Sequence, residues 1–393
     1  MGIIFFILTV LVVPIMSAGA TVPRWAFLSI VCAALLFRIE IPIGAWLIMA
    51  YVGLMAWVAP VGYEAAFLYW HFLLYAVLFI YAWQLDNLRS VAVGVGLAMA
   101  LNSALVLYET FFHHIMPSTL PDAGGLFYNH NLSSEVAAMA AALAIGYRLW
   151  WLLPGLVPTL AFGSRAPVLA LGAAGCVALW RWDRFWALMT FLSGALSMAI
   201  LWSYRNNGLG TLGERIGVWE DMIPHLNLWG HGLGSFIVEF PLWQHHSPPL
   251  SMRFENPHSD PLQIAYEFGL PGLLLMGALV WRMARVKRGP EWYCLFVFLV
   301  EGCVGFSLYE PVTGGLAALC AGRLFVDRGP VRELLGALGF GICDWVADHG
   351  IAAFRGVSPV VSAHSDPTLG SGLRGHLAGG SLEDRYRRAG HPL

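Results

Sequence analysis

The sequence predicts an all-α polytopic membrane protein, and three observations carry that prediction. Of the 393 residues, 58% are hydrophobic and 12% charged, against roughly 25% charged in a soluble domain. Mean hydropathy is +0.66. Apolar runs long enough to cross a bilayer, or nearly so, recur along the chain. They lie at 3–20, 22–37, 41–60, 64–85, 90–111, 132–147, 150–162, 166–180, 185–203, 261–281, 292–309 and 312–326, twelve in all. Those at 150–162, 166–180 and 312–326 fall short of a full crossing.

The short connections set the orientation. Arg38, Arg89, Arg148, Arg181, Arg184 and the group Arg282, Arg285, Lys287 and Arg288 fall on one side of a twelve-span chain. The short connections on the other side hold only Arg24 and Arg165. The positive-inside bias makes the first side cytoplasmic, with both termini inside. A miscounted span would scatter these arginines between the two sides. Four regions follow: transmembrane helices 1–9 over residues 1–203, a large periplasmic loop over 204–257, helices 10–12 over 258–327, and a tail over 328–393. In the tail, 331–354 reads as an amphipathic surface helix and 355–393 as disordered. The first run ends in Ala18-Gly19-Ala20, like a signal-peptidase site. No basic residue precedes Arg24, so it reads as a retained helix.

Composition also excludes. A net charge of −2 without a basic patch gives no reason for a nucleic-acid partner. The six cysteines avoid the 204–257 loop and offer neither a disulfide framework nor a metal pair.

The loop carries the chemistry. Thr211 and Glu214 form a capping box that starts a helix limited by Pro224. Leu212, Ile216, Trp219 and Ile223 recur at helical spacing, so this face is expected on apolar matter, protein or lipid. Arg215, four before Trp219, sits along the edge of that face. A guanidinium there fits an anion at the membrane surface; the bland alternatives are snorkelling, or pairing with Glu214, Glu220 or Asp221. The Gly230–Gly234 cluster lacks a preceding strand and a βαβ unit, so it reads as a tight turn passing close to something, not a dinucleotide loop.

His258-Ser259-Asp260-Pro261-Leu262-Gln263 opens the tenth run. Asp260 reads as N-cap, Pro261 as the first helical residue and Gln263 as the third after the cap. His258 then sits at the bilayer rim beside a helix N-terminus, which keeps an imidazole uncharged and able to act as a base. A structural rim histidine is the alternative. Two other helix starts on this face carry polar groups, Ser164-Arg165 and Asn129-His130-Asn131. Arg165 is a candidate anion contact or a snorkelling anchor. His71 and Glu301 lie deep in spans, where polar groups are functional or paired.

In series, Arg215, Trp219, the Gly230–Gly234 cluster and His258 leading into LQIAYEFGLPG resemble the O-antigen ligase and polymerase superfamily of bacterial envelope glycosyltransferases. GGLFYNHNLSS around Asn129 and Asn131, and FGSRAP around Arg165, are weaker echoes. The resemblance covers roughly residues 90–285, and twelve spans with a loop between the ninth and tenth match the ligase branch. It implies an enzyme of the bacterial inner membrane with its site facing the periplasm. The enzyme would transfer a glycan from undecaprenyl pyrophosphate to a hydroxyl such as that of lipid A–core, without metal or cofactor. Arg165 and Arg215 would neutralise the leaving pyrophosphate, and His258 would take the acceptor proton, giving inversion. Asn129, Asn131, Trp219, Gly232 and Asp260 would contact substrate. Asp260 departs from the Asn or other polar residue of many relatives, and the tail is longer than the family leads one to expect. A polymerase or a protein oligosaccharyltransferase shares the donor chemistry. A transporter or flippase would place polar groups at mid-membrane, and a non-catalytic assembly protein would not need Arg215 or His258.

Overall fold

The computed structural model describes residues 1–10, 21–37, 39, 43–112, 124–127, 129–180, 184, 185, 189, 192, 210–245 and 254–325. The tail, most of the 185–203 run and part of the loop lie outside these. All described regular structure is helical. In chain order it comprises α1 (Gly2–Val10), α2 (Thr21–Leu36), α3 (Ile43–Trp57), α4 (Gly62–Ala82), α5 (Arg89–Phe111), α6 (His130–Gly146), α7 (Leu153–Phe162), α8 (Arg165–Leu179), α9 (Gly210–Met222), α10 (Phe236–Trp243), α11 (Asp260–Arg285), α12 (Pro290–Gly302) and α13 (Pro311–Phe325). Among described residues α4, α5 and α11 are long and apolar enough to cross a membrane, and several shorter apolar helices accompany them.

The centre of the bundle is α6. Every residue from Ser133 to Ala144 is buried, and half of them are alanine. Small side chains let backbones approach closely where lipid provides no hydrophobic drive between helices. Glycines of the neighbours serve the same end: a Cβ on Gly96 would meet the Leu152 side chain at 2.6 Å, and one on Gly155 would meet Ala100 at 2.6 Å. Deep in α4, His71 stacks on Trp25 with ring centroids 3.4 Å apart and an interplanar angle of 3°. Neither ring nitrogen has a hydrogen-bond partner, so His71 packs here as an aromatic ring.

Two features position the site. Along α4, Gly314 backs onto the Tyr75 ring and Gly322 onto Phe79 and Ala82. This sets the start of α13 roughly two turns, about 10 Å, short of the start of α4. One end of the bundle therefore holds a recess.

The second feature is a break in α11. Gly269 has φ 64° and ψ −154°, and Pro271 follows. Ile264 and Gly272 would lie about 12 Å apart in a straight helix, yet a Cβ on Gly272 would meet Ile264 Cγ2 at 2.9 Å. The helix folds back on itself. Its first limb, Asp260–Phe268, runs from Leu308 in the recess up to the middle of α3, where Tyr51 donates to Phe268 O at 2.7 Å. The second limb, Leu270–Arg285, continues along the bundle. The tenth run is thus not one straight span.

Candidate functional site

The helix carrying Arg215 forms as the sequence predicts but turns a different face inward. Val218 and Met222 are fully buried, packing with Phe236, Phe240 and Tyr266. Ile216 and Ile223, expected to face protein or lipid, are 42% and 54% exposed and so are not covered by protein. Thr211 lies inside α9 and not at its cap. The buried stripe runs through Arg215, Val218, Trp219 and Met222, because long aromatic partners on α10 and α11 supply the cover there. Periodicity alone does not tell a protein-facing stripe from a lipid-facing one.

Two side chains pin α9, one turn apart. Trp219 Nε1 donates to Pro257 O at 2.8 Å, the residue before His258. Arg215 Nη1 donates to Val304 O, in the turn between α12 and α13. Arg215 does not pair with Asp221, whose Oδ2 accepts from His245 N at 2.9 Å. The charges acting on Arg215 are Glu135, Glu301 and Glu214; burial pushes its pKa down and these carboxylates oppose that. An arginine stays charged through such a shift.

His258 adopts φ 52°, a left-handed conformation that costs a non-glycine residue of order 1 kcal/mol or more. Its N–H turns back onto Asn256 Oδ1 at 3.3 Å. The ring lies edge-on to Phe306, centroids 5.3 Å apart, and buried Nδ1 has no partner. Burial first, and then the Arg215 cation, push His258 down to about 4 from the usual 6.5. The imidazole is neutral, as the sequence predicts, but through burial and a neighbouring cation, and it lies in the recess.

Asp260 is the first helical residue of α11 and Ser259 is the N-cap. The expected cap is therefore displaced by one position. The carboxylate instead reaches across to accept from Leu308 N at 3.1 Å, while Oδ1 has no partner. Gln263 Nε2 donates to Glu267 at 3.0 Å, and its Oε1 is likewise unsatisfied.

Sequence reasoning passed over the hub of this arrangement, Glu135 in the second turn of α6. Its Oε2 accepts from Ser307 Oγ at 2.9 Å, and it interacts electrostatically with Arg215, Glu301, Glu310 and Asp260. The signal was present: Glu135 is the sole charge in the 132–147 run. Arg24 and Glu310 were passed over too. Arg24 belongs to α2 and is buried against Glu310, Nη1 to Oε1 3.3 Å.

The other candidates sit around this centre. Ser164 N donates to Ser134 Oγ at 2.9 Å, so the start of α8, with Arg165, is tied to the turn that carries Glu135. Asn129 is the N-cap of α6, its Oδ1 accepting from Asn131 N at 2.9 Å. Gly232 stands farther off. Its N–H donates to Glu267 O at 3.1 Å, and a Cβ there would meet Ala59 Cα at 2.7 Å. Gly230 lies as close to Glu267 O, at 2.4 Å from its added Cβ, and both glycines have positive φ. The glycine cluster is a tight turn locked against the break in α11.

Residues 130–277 match the family model described as O-antigen ligase. That match places the stretch in the O-antigen ligase/polymerase superfamily, whose members are glycosyltransferase-like enzymes. It spans Asn131, Glu135, Arg165, Arg215, Trp219, Gly232, His258 and Asp260, and leaves Asn129, Glu301 and Glu310 outside. No curated protein matches the chain.

Proposed function

We propose that the chain is an O-antigen ligase-type glycosyltransferase of the bacterial inner membrane, with its site on the periplasmic side of a twelve-span bundle. It moves a glycan from undecaprenyl pyrophosphate to an acceptor hydroxyl, that of lipid A–core first among candidates, with inversion and without a metal. One observation carries this reading. Arg215 spends a single donor on protein, Val304 O, and lies within electrostatic reach of the neutral His258.

The acceptor hydroxyl gives its proton to the His258 imidazole as its oxygen attacks the anomeric carbon. The bond from that carbon to the pyrophosphate oxygen breaks, and the leaving oxygen keeps the electron pair. Arg215, with Arg165 at the neighbouring helix start, offsets the charge that grows there. A base pushed down to about 4 is weak. The entering pyrophosphate offsets the Arg215 cation and so raises His258 toward its ordinary range, when the acceptor is in place. Trp219 holds the two carriers together; Asn129, Asn131, Gly232 and Asp260 shape the substrate's surroundings. A cavity of about 380 Å³ between α3, α4, α11 and α13, lined by Val52, Phe72, Leu275 and Phe325, meets the site's turn at Tyr75 and Leu308. It suits a hydrocarbon chain better than a solute.

The test is a lipopolysaccharide gel from the native host lacking this gene, complemented with wild type, Arg215→Ala or His258→Ala. Wild type restores glycan on lipid A–core, and both variants reach the membrane yet restore none. Core capped by a single repeat in the deletion identifies a polymerase. An unchanged ladder removes lipopolysaccharide as the product and turns attention to protein glycosylation or transport. Full activity in either variant removes that residue from the mechanism.

A further inference from the structure

The charge balance around Arg215 is the wrong way round for a site that only has to attract an anion. Arg215 is faced by Glu135, Glu301 and, on its own helix, Glu214, three acids against one base. Glu135 and Glu301 are buried, at 4% and 1% exposure. Arg215 and these two buried acids meet on one turn. Val304 O takes the Arg215 bond, and Val304 N donates to Glu301 O at 2.9 Å. The next residue, Gly305, lies against Glu135, whose Oε1 would be 3.3 Å from a Cβ added there. Ser307, in the same turn, donates to the other oxygen of Glu135.

Neither acid closes an ion pair with Arg215 within 4.0 Å among the described residues, and Glu301 Oε1 has no hydrogen-bond partner. Arg24 shows what closure looks like in the same protein, with Glu310 at 3.3 Å. Around Arg215 the carboxylates act across a gap, and the guanidinium keeps donors to spare.

We propose that Glu135 and Glu301 are positioning residues for Arg215, which aim its guanidinium into the recess and weaken its hold on an anion so that the pyrophosphate product leaves. The inference rests on the reading of Arg215 as the pyrophosphate contact. A bare, dry arginine would retain a polyanion after transfer. Negative charge on the carboxylates beside it loosens the bound state, at the cost of weaker donor binding. Gly305 fits this assignment: the turn must pass within van der Waals contact of Glu135, and a side chain would press on the carboxylate.

The experiment uses full-length protein in lipid nanodiscs, with inorganic pyrophosphate titrated calorimetrically. Glu135→Gln and Glu301→Gln keep the shape and remove the charge. Each is expected to tighten pyrophosphate binding by about tenfold or more, the effect of a unit charge within about 10 Å at an effective dielectric of about 20. Glu135→Asp keeps the charge and stays within about threefold of wild type, on the same ground. In transfer assays both glutamine variants lower KM for the lipid-linked donor and lower kcat together, as slow product release requires. A merely structural role would instead lower the melting temperature and leave the affinity of the folded fraction alone. Two folded glutamine variants that bind pyrophosphate no tighter than wild type overturn the proposal, provided Arg215→Ala abolishes binding. Unchanged binding in Arg215→Ala overturns the pyrophosphate reading as well, so the two failures are told apart.

Discussion

Arg24 and Arg215 are both withdrawn from solvent near the same end of the bundle, and the protein treats them differently. Arg24 spends both Nη groups on protein: Glu310 at 3.3 Å, Thr9 O at 2.7 Å and Leu126 O at 3.0 Å, with the Phe127 ring 3.9 Å beneath. Its partner Glu310 spends the other oxygen on Val312 N and Thr313 N, capping α13. Arg215 has one backbone acceptor and faces its carboxylates across a gap. The first arginine ties α1, α2 and α13 together. The second is left with capacity, which is what separates a site from a staple.

The sharpest way to break the comparison is to remove each arginine in turn. Arg24→Ala strands Glu310 in the core, and loss of one member of a buried pair costs about 3–5 kcal/mol. Arg215→Ala removes one exchangeable backbone bond, worth about 1 kcal/mol. Thermal unfolding in detergent is expected to show a collapse for the first and a small shift for the second. Equal shifts would mean that Arg215 is a staple too.

A second measurement sharpens the contrast through His258. Burial and the Arg215 charge both disfavour the imidazolium, so the depressed pKa keeps the base form present on the acid side of neutrality. The acid limb of kcat/KM, which reports the free enzyme, is expected near pH 4. The limb of kcat, which reports the donor complex, is expected at higher pH, because the bound pyrophosphate offsets Arg215. Coincident limbs would leave Arg215 without influence on the base.

The smallest expected effect comes from Trp219→Phe. It deletes the bond to Pro257 O and keeps the ring, a loss of about 0.5–1.5 kcal/mol. Transfer is expected to fall severalfold without vanishing, since α9 stays seated through Val218 and Met222. A null effect on rate would mean that α9 needs no tie to the His258 segment.

How far the sequence carries this picture follows from what each signal encodes. Apolar runs give helices close to the predicted places, because length and hydropathy are properties of one segment. The helix of the 292–309 run, however, ends at Gly302, and a turn follows within the run. The order Arg215, Trp219, glycine cluster, His258 carries the resemblance to the family whose model matches residues 130–277. Facing is another matter. Ile216 and Ile223 read as facing protein or lipid, and it is Val218 and Met222 that protein covers, because the cover on α9 comes from Phe236, Phe240 and Tyr266, residues distant in sequence. Asp260 reads as a cap by spacing, and Leu308, forty-eight residues away, claims its carboxylate. Glu135 was legible as a charge in an apolar run, but its role depends on a turn near residue 305. The reversal at Gly269 was announced by Gly-Leu-Pro-Gly, a breaker pattern inside a run whose hydropathy argued for continuity.

On the proposed reading, that reversal and the short reach of α13 set the depth of the reaction. Lipid headgroups occupy about 5–7 Å on each face of a bilayer. With the ends of α3 and α4 at the water boundary, a recess of about 10 Å would put the imidazole and the guanidinium just past the headgroups, at the edge of the hydrocarbon. A donor carried on a polyprenol would then need no lifting into water, and the hydrophilic acceptor would come down to meet it.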